Sequence, residues 1–147
     1  MKNFDSVEVL IVEDNPSDAE LSLRVLLKHH LAEVLYVVED GEQALDFIFC
    51  RGKFASRKRS RSLKVVFLDL QLPIVNGLDV LREIKSNPQT NQLPVVILTS
   101  SKEDPDIETA YDLGANSYVV KPVDFSNFVK ALEKAGLFWL LMKVQQE

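Results

Sequence analysis

Four short apolar runs each end on a reactive side chain, and that pattern leaves the chain few folds to choose from. Val9-Leu10-Ile11-Val12 leads into Glu13-Asp14, Val65-Val66-Phe67-Leu68 into Asp69, Val95-Val96-Ile97-Leu98 into Thr99-Ser100, and Ser117-Tyr118-Val119-Val120 into Lys121-Pro122. Continuous β-branched runs of this length suit strands buried on both faces, as in a parallel sheet covered by helices. Such sheets gather ligands at the carboxyl ends of their strands. Three carboxylates, a hydroxyl and an ammonium are therefore expected to meet in one crevice.

The segments between the runs read as helices. After the first run, Asn15-Pro16-Ser17-Asp18 offers cap-type residues and a proline suited to an opening turn, and residues 19–30 carry Leu21, Leu23, Val25, Leu26 and Leu27. A further strand is expected from Val34 to Val38, then a helix from Gly41 to Phe49 with Ala44, Leu45, Ile48 and Phe49 inward. The turn from Gln71 to Gly77 precedes a helix over Leu78 to Lys85, closed by Ser86-Asn87-Pro88. Acids between Lys102 and Asp106 suit the start of a helix that runs to Leu113, with Gly114 as its stop. Asp124 opens a last helix, expected to continue to residue 145 or so. Strands and helices in alternation predict an α/β doubly wound sheet with right-handed crossovers, and residues 1–147 are expected to form a single domain.

At 147 residues a globular chain buries roughly 68–70% of its unfolded surface, enough for one core without disulfide staples. The single cysteine, Cys50, has no internal partner, which fits a reducing cytoplasmic setting. No signal peptide or span-length apolar segment is present, so no membrane role is expected. A net charge of −5 argues against general nucleic-acid binding. Seven of the seventeen basic residues nevertheless fall between Arg51 and Lys64, most simply as a solvated loop. His29 and His30 are adjacent near a helix end and share no face, so they read as solvated side chains.

On these residues the chain resembles the receiver domains of two-component response regulators. The acidic pair Glu13-Asp14, then Asp69, Thr99, Tyr118 and Lys121-Pro122 stand in the order of that family's signature positions. The resemblance implies a flavodoxin-like fold with five parallel strands in the order 2-1-3-4-5. It also implies phosphorylation by a histidine kinase, with Asp69 as acceptor, and a cis bond before Pro122 that aims Lys121 inward.

Asp69 closes the central run, where a carboxylate is held rigidly and approached from one side. Glu13 and Asp14 beside it would repel it unless a cation intervenes, and hard oxygen donors favour Mg²⁺, or Mn²⁺ in its place. Asp14, Asp69 and the backbone carbonyl of Gln71 are expected as direct ligands, with Glu13 acting partly through water. Lys121 offers a compact positive charge to a transferred phosphoryl group. Thr99 and Tyr118 form the expected switch, the hydroxyl drawn to the phosphoryl group and the ring turning into the space that opens. Gln71, two positions past Asp69, departs from the commonest family pattern and leaves the dephosphorylation rate open.

The end of the chain suggests an output. Gly136 to Met142 is apolar all round, more than one buried stripe can absorb, so Phe138, Trp139 and Leu140 are expected at an interface, in a homodimer. The simpler alternative folds this tail onto the domain's own core. Lys121 to Phe125, Phe138 to Leu140 and Asp14 to Asp18 together resemble the small stand-alone receivers associated with bacterial phytochromes, which implies a phytochrome-type kinase as partner. No effector domain is expected after residue 147, so output is expected through binding or through phosphate passing onward. Two other classes stay open: an interaction module that keeps the fold without using phosphorylation, and a phosphohydrolase of the haloacid dehalogenase type. The latter wants an acid two residues past the nucleophile, where this chain has Gln71.

Overall fold

The computed structural model describes residues 4–28, 34–58 and 63–137. Each apolar run is a strand: β1 (Val9–Val12), β2 (Leu35–Val38), β3 (Val65–Asp69), β4 (Val95–Thr99) and β5 (Ser117–Val120). They alternate with helices α1 (Pro16–Lys28), α2 (Gly41–Ile48), α3 (Gly77–Ser86), α4 (Asp106–Leu113) and α5 (Phe125–Lys134). All strand pairs are parallel, and the order is β2-β1-β3-β4-β5, as the resemblance implies.

Every residue of β1, β3 and β4 is buried, while the outer strands β2 and β5 are partly open. Because successive side chains of a strand point to opposite faces, each inner strand feeds two cores. Leu10, Val66 and Ile97 pack with Leu45 of α2 and Leu81 of α3 on one face. Ile11, Phe67 and Leu98 pack with Leu26 of α1 and Phe128 and Leu132 of α5 on the other. The rings of Phe67 and Phe128 stack at 5.0 Å between centroids.

Local chemistry sets the element ends. Asp40, Asn76 and Asp124 cap α2, α3 and α5 by accepting backbone N–H bonds from Gln43, Asp79 and Asn127. Gly114, at a φ of 111°, ends α4 as expected. Helix α5 ends at Lys134, and the stretch from Phe138 toward residue 145, into which it was expected to continue, lies outside the described residues. Gly136 adopts a φ of 73°, the Leu137 N–H returns to the Leu132 carbonyl, and the carbonyls of the last turn are thereby closed off. Phe138, Trp139, Leu140 and the remainder of the apolar tail lie outside the described residues, as do His29 and His30.

Burial adds three details. Phe47 is the fully buried aromatic of α2, a position the sequence reading left out, while Phe49 at the C-cap is partly buried and packs against the same core. Leu21 and Leu27 are exposed on α1, whose buried positions are Ala19, Ser22 and Leu26. The basic segment is not wholly solvated either. Phe54 is fully buried, joining Phe4, Tyr36 and Phe47 in an aromatic cluster. Arg57 is buried too, its guanidinium 4.4 Å from the Phe47 ring centroid and donating to the Phe47 carbonyl.

Gly77 fixes how the chain leaves β3. Its N–H donates to the Leu70 carbonyl, and a Cβ there would lie 2.4 Å from the Asp69 carbonyl oxygen and 2.5 Å from the Leu70 Cα. Only glycine fits this approach without moving the backbone that carries Asp69. Gly77→Ala is expected to lower stability by about 1–3 kcal/mol, read as a drop in the urea midpoint at unchanged slope.

Candidate functional site

Parallel register brings the reactive ends together. Val12 pairs with Leu68, so Glu13 emerges level with Asp69; Thr99 pairs with Val120, so Lys121 leaves β5 one step beyond Thr99. Asp69 pairs with Leu98, which places the carboxylate in the row between them. The Lys121–Pro122 peptide is cis.

The Lys121 ammonium lies 3.0 Å from each of Glu13 Oε1, Asp69 Oδ2 and Asp18 Oδ2, donating to all three. Glu13 and Asp69 are buried, at 1% and 3% exposure. Their other oxygens accept backbone N–H bonds, Glu13 Oε2 from Asn15 at 3.2 Å and Asp69 Oδ1 from Gln71 at 2.8 Å. Both carboxylates are therefore held at two points.

Burial raises the Glu13 pKa from the ordinary 4.5 to about 7, helped by a hydrogen bond and charge repulsion from Asp69 and opposed by Lys121. Burial alone would depress the Lys121 pKa, but the hydrogen bonds to Glu13, Asp18 and Asp69 outweigh it and hold the ammonium protonated well above its usual range.

One carboxylate oxygen from each of Glu13, Asp14 and Asp69 lies within 4.8 Å of the others, with Asp14 exposed and the other two buried. A buried acid with a raised pKa beside two more carboxylates is a donor set that a hard divalent cation would stabilise. Asp14, Asp18, Asp69 and Lys121 bound a cleft of about 270 Å³ whose wall also includes Gln71, Thr99, Ser100 and Asp104.

Thr99 and Tyr118 are both engaged with groups outside that cluster. Thr99 Oγ1 lies 3.2 Å from Asp104 Oδ2 and 3.1 Å from the Ser101 carbonyl, sharing its proton with the loop after β4. Half-buried Tyr118 meets Tyr111 of α4 edge-on at 6.3 Å, and Lys134 Nζ of α5 sits 5.7 Å from its ring centroid.

The Response regulator receiver domain model matches residues 9–133. The chain belongs to the response regulator receiver domain family. Response regulator Rcp1 of Synechocystis is 33% identical over 132 residues, covering 90% of this chain and 88% of that protein. The Mn(2+)-bound form of Rcp1 superposes with a TM-score of 0.73, at 33% identity, over 91% of this chain and 94% of that one. The bacteriophytochrome response regulator RtBRR is 42% identical with a TM-score of 0.83, covering 95% of this chain and 89% of that one. The phosphorylated cyanobacterial phytochrome response regulator RcpA is 31% identical with a TM-score of 0.71, over 95% and 91%.

In this receiver the sequence-predicted side chains of Glu13, Asp14, Asp69 and Lys121 stand together, with Thr99 on the same wall. Asp18 and Asp104 were not anticipated. Asp18 reads in the sequence as an N-terminal helix acid, yet its place in the first turn after Glu13-Asp14 turns it back toward the strand ends. Asp104 carries no sequence signal beyond sharing a loop with Thr99.

Glu13 imposes a pH dependence. Because its folded pKa lies above its ordinary value, the folded protein keeps a proton that the unfolded chain loses, so stability falls as pH rises from 4.5 to about 7. Chelator-treated protein is expected to lose about 1–3 kcal/mol across that window in urea titrations, and Glu13→Gln to remove most of the slope.

Proposed function

We propose that Asp69 accepts a phosphoryl group from the phosphohistidine of a histidine kinase, and that the phytochrome type of kinase is the donor. The observation that carries this is the Lys121 ammonium at 3.0 Å from Asp69 Oδ2, with the Gln71 N–H fixing the opposite oxygen. An ionised carboxylate oriented in this way is ready for in-line attack on phosphorus. The new P–O bond forms as the P–N bond breaks, and the electron pair leaves with the imidazole. Lys121 then moves its ammonium toward the phosphoryl oxygens, which carry the charge it formerly met on Asp69. The phytochrome pairing is supported by the names borne by RtBRR and RcpA.

A Mg²⁺ or Mn²⁺ ion fits the acid cluster, with Asp14, Asp69 and the Gln71 carbonyl as direct ligands and Glu13 partly through water. Bound there, such an ion would offset carboxylate repulsion and screen the incoming phosphoryl charge. The Mn(2+)-bound form of Rcp1 supports this reading.

The signal then passes through Thr99 and Tyr118. A phosphoryl oxygen competes with Asp104 and the Ser101 carbonyl for the Thr99 hydroxyl, and movement of that loop alters the packing of Tyr118 between Tyr111 and Lys134. The changed surface lies on β5, α4 and α5, where a homodimer would form together with Phe138, Trp139 and Leu140. Residues 1–147 acting as one cytoplasmic domain complete the reading; among the described residues no helix is long and apolar enough to cross a membrane.

Incubation with a phosphorylated histidine kinase and Mg²⁺ is expected to label the wild-type protein, and Asp69→Asn or excess chelator to abolish labelling. Undiminished labelling of Asp69→Asn would sink the assignment. Lys121→Ala is expected to slow labelling about 10²-fold or more, in line with losing one positioned charge at a transferring group. Sedimentation with and without a small phosphodonor tests the dimer: self-association in at least one state is expected, and a monomer in both states at high concentration contradicts it.

A further inference from the structure

An ammonium group has three N–H donors, and all three of Lys121 are engaged in this receiver, by Glu13, Asp69 and Asp18. Phosphoryl transfer accounts for two of these acceptors, since Asp69 is the acceptor of the group and Glu13 belongs to the cation-binding cluster. Asp18 belongs to neither. It lies in the first turn of α1, held there by the Asn15 side chain, which accepts the Asp18 N–H.

We propose that Asp18 is a positioning residue that competes with the phosphoryl group for Lys121, and so sets how tightly the modified form of Asp69 is held. The proposal rests on Asp69 being the acceptor. A phosphoryl group brings about −1.5 to −2 charge and three strong acceptor oxygens into the cleft. The N–H that Lys121 gives to the Asp69 carboxylate passes to a phosphoryl oxygen as Asp69 becomes an acyl phosphate, but any further bond from Lys121 to the group must be taken from Glu13 or Asp18.

The two remaining acceptors are not equivalent. The Glu13 side chain is at 0% exposure and is pinned by a second hydrogen bond from the Asn15 backbone. The Asp18 side chain is 29% exposed, so water can resolvate it when the ammonium leaves. A buried carboxylate left without its cation has no such recourse. Asp18 is therefore the acceptor that gives way, and its attraction for Lys121 opposes the phosphorylated state. Its negative charge also faces the incoming phosphoryl group across the same cleft.

Beryllofluoride, which binds carboxylates as a mimic of a phosphoryl group, tests this at equilibrium on the full chain with saturating Mg²⁺. Asp18→Asn is expected to tighten beryllofluoride binding by about fivefold, the scale of a partly exposed ion pair, with Asp18→Glu near wild type. The Lys121 side-chain carbon resonance should shift on Asp18→Asn even without the probe, which a purely structural role would not produce. Glu20→Gln, which removes a charge from the exposed side of the same helix, should change neither. Equal tightening by Glu20→Gln, an unmoved Lys121 resonance, or unchanged affinity in Asp18→Asn each overturns the role of Asp18 while leaving Asp69 as acceptor. Failure of wild type to bind the probe, or equal binding by Asp69→Asn, overturns the Asp69 assignment and this proposal with it.

Discussion

The Lys121 ammonium, 3.0 Å from each of Glu13, Asp18 and Asp69, is what allows two carboxylates to lie buried side by side at the edge of the sheet. Moving an ionised carboxylate out of water costs several kcal/mol even after relaxation, and a second one nearby adds repulsion. One cation among three acids answers part of that cost and leaves the rest visible as the raised pKa of Glu13. The site is therefore under electrostatic tension of a definite sign, with more negative charge than the protein itself neutralises. A divalent cation or a change in the charge on Asp69 acts on a balance that is already close.

That arrangement depends on the sheet. Inner strands buried on both faces cannot slip by one residue without exchanging the two cores, so Leu68 stays beside Val12 and Asp69 beside Leu98. The chemistry sits on strand ends because side chains there reach the ligand edge while the paired strand behind them holds their backbone in place. The parts that the proposed switch would move sit one step further out, in the loop from Ser100 to Asp104 that holds the Thr99 hydroxyl, and in the ring of Tyr118 between α4 and α5. The proposed acceptor and the proposed readout are thus neighbours without sharing a segment.

Much of this was legible in the chain. Buried parallel strands write themselves as unbroken apolar runs, and the residue after each run is the one delivered to the ligand edge; Glu13, Asp69, Thr99 and Lys121 follow from that rule. What was not legible depends on angles that no local pattern encodes. Asp18 looks like any acid in a first turn, and only the pitch of α1 against β1 brings it to Lys121. Arg57 looks like one more charge in a basic loop, and only the ring of Phe47 explains its burial. The end of α5 at Lys134 is likewise set by hydrogen bonding, the Leu137 N–H returning to the Leu132 carbonyl, which the apolar composition around Gly136 does not encode.

The central claim is that Asp69 carries a phosphoryl group as an acyl phosphate, and borohydride trapping tests it most directly. Reduction cleaves an acyl phosphate to the corresponding alcohol, so protein treated with phosphodonor and Mg²⁺, then reduced and digested, should yield homoserine in place of Asp69. Homoserine at another acid such as Asp14 or Asp18, or none at all from folded and metal-loaded protein, would contradict the account.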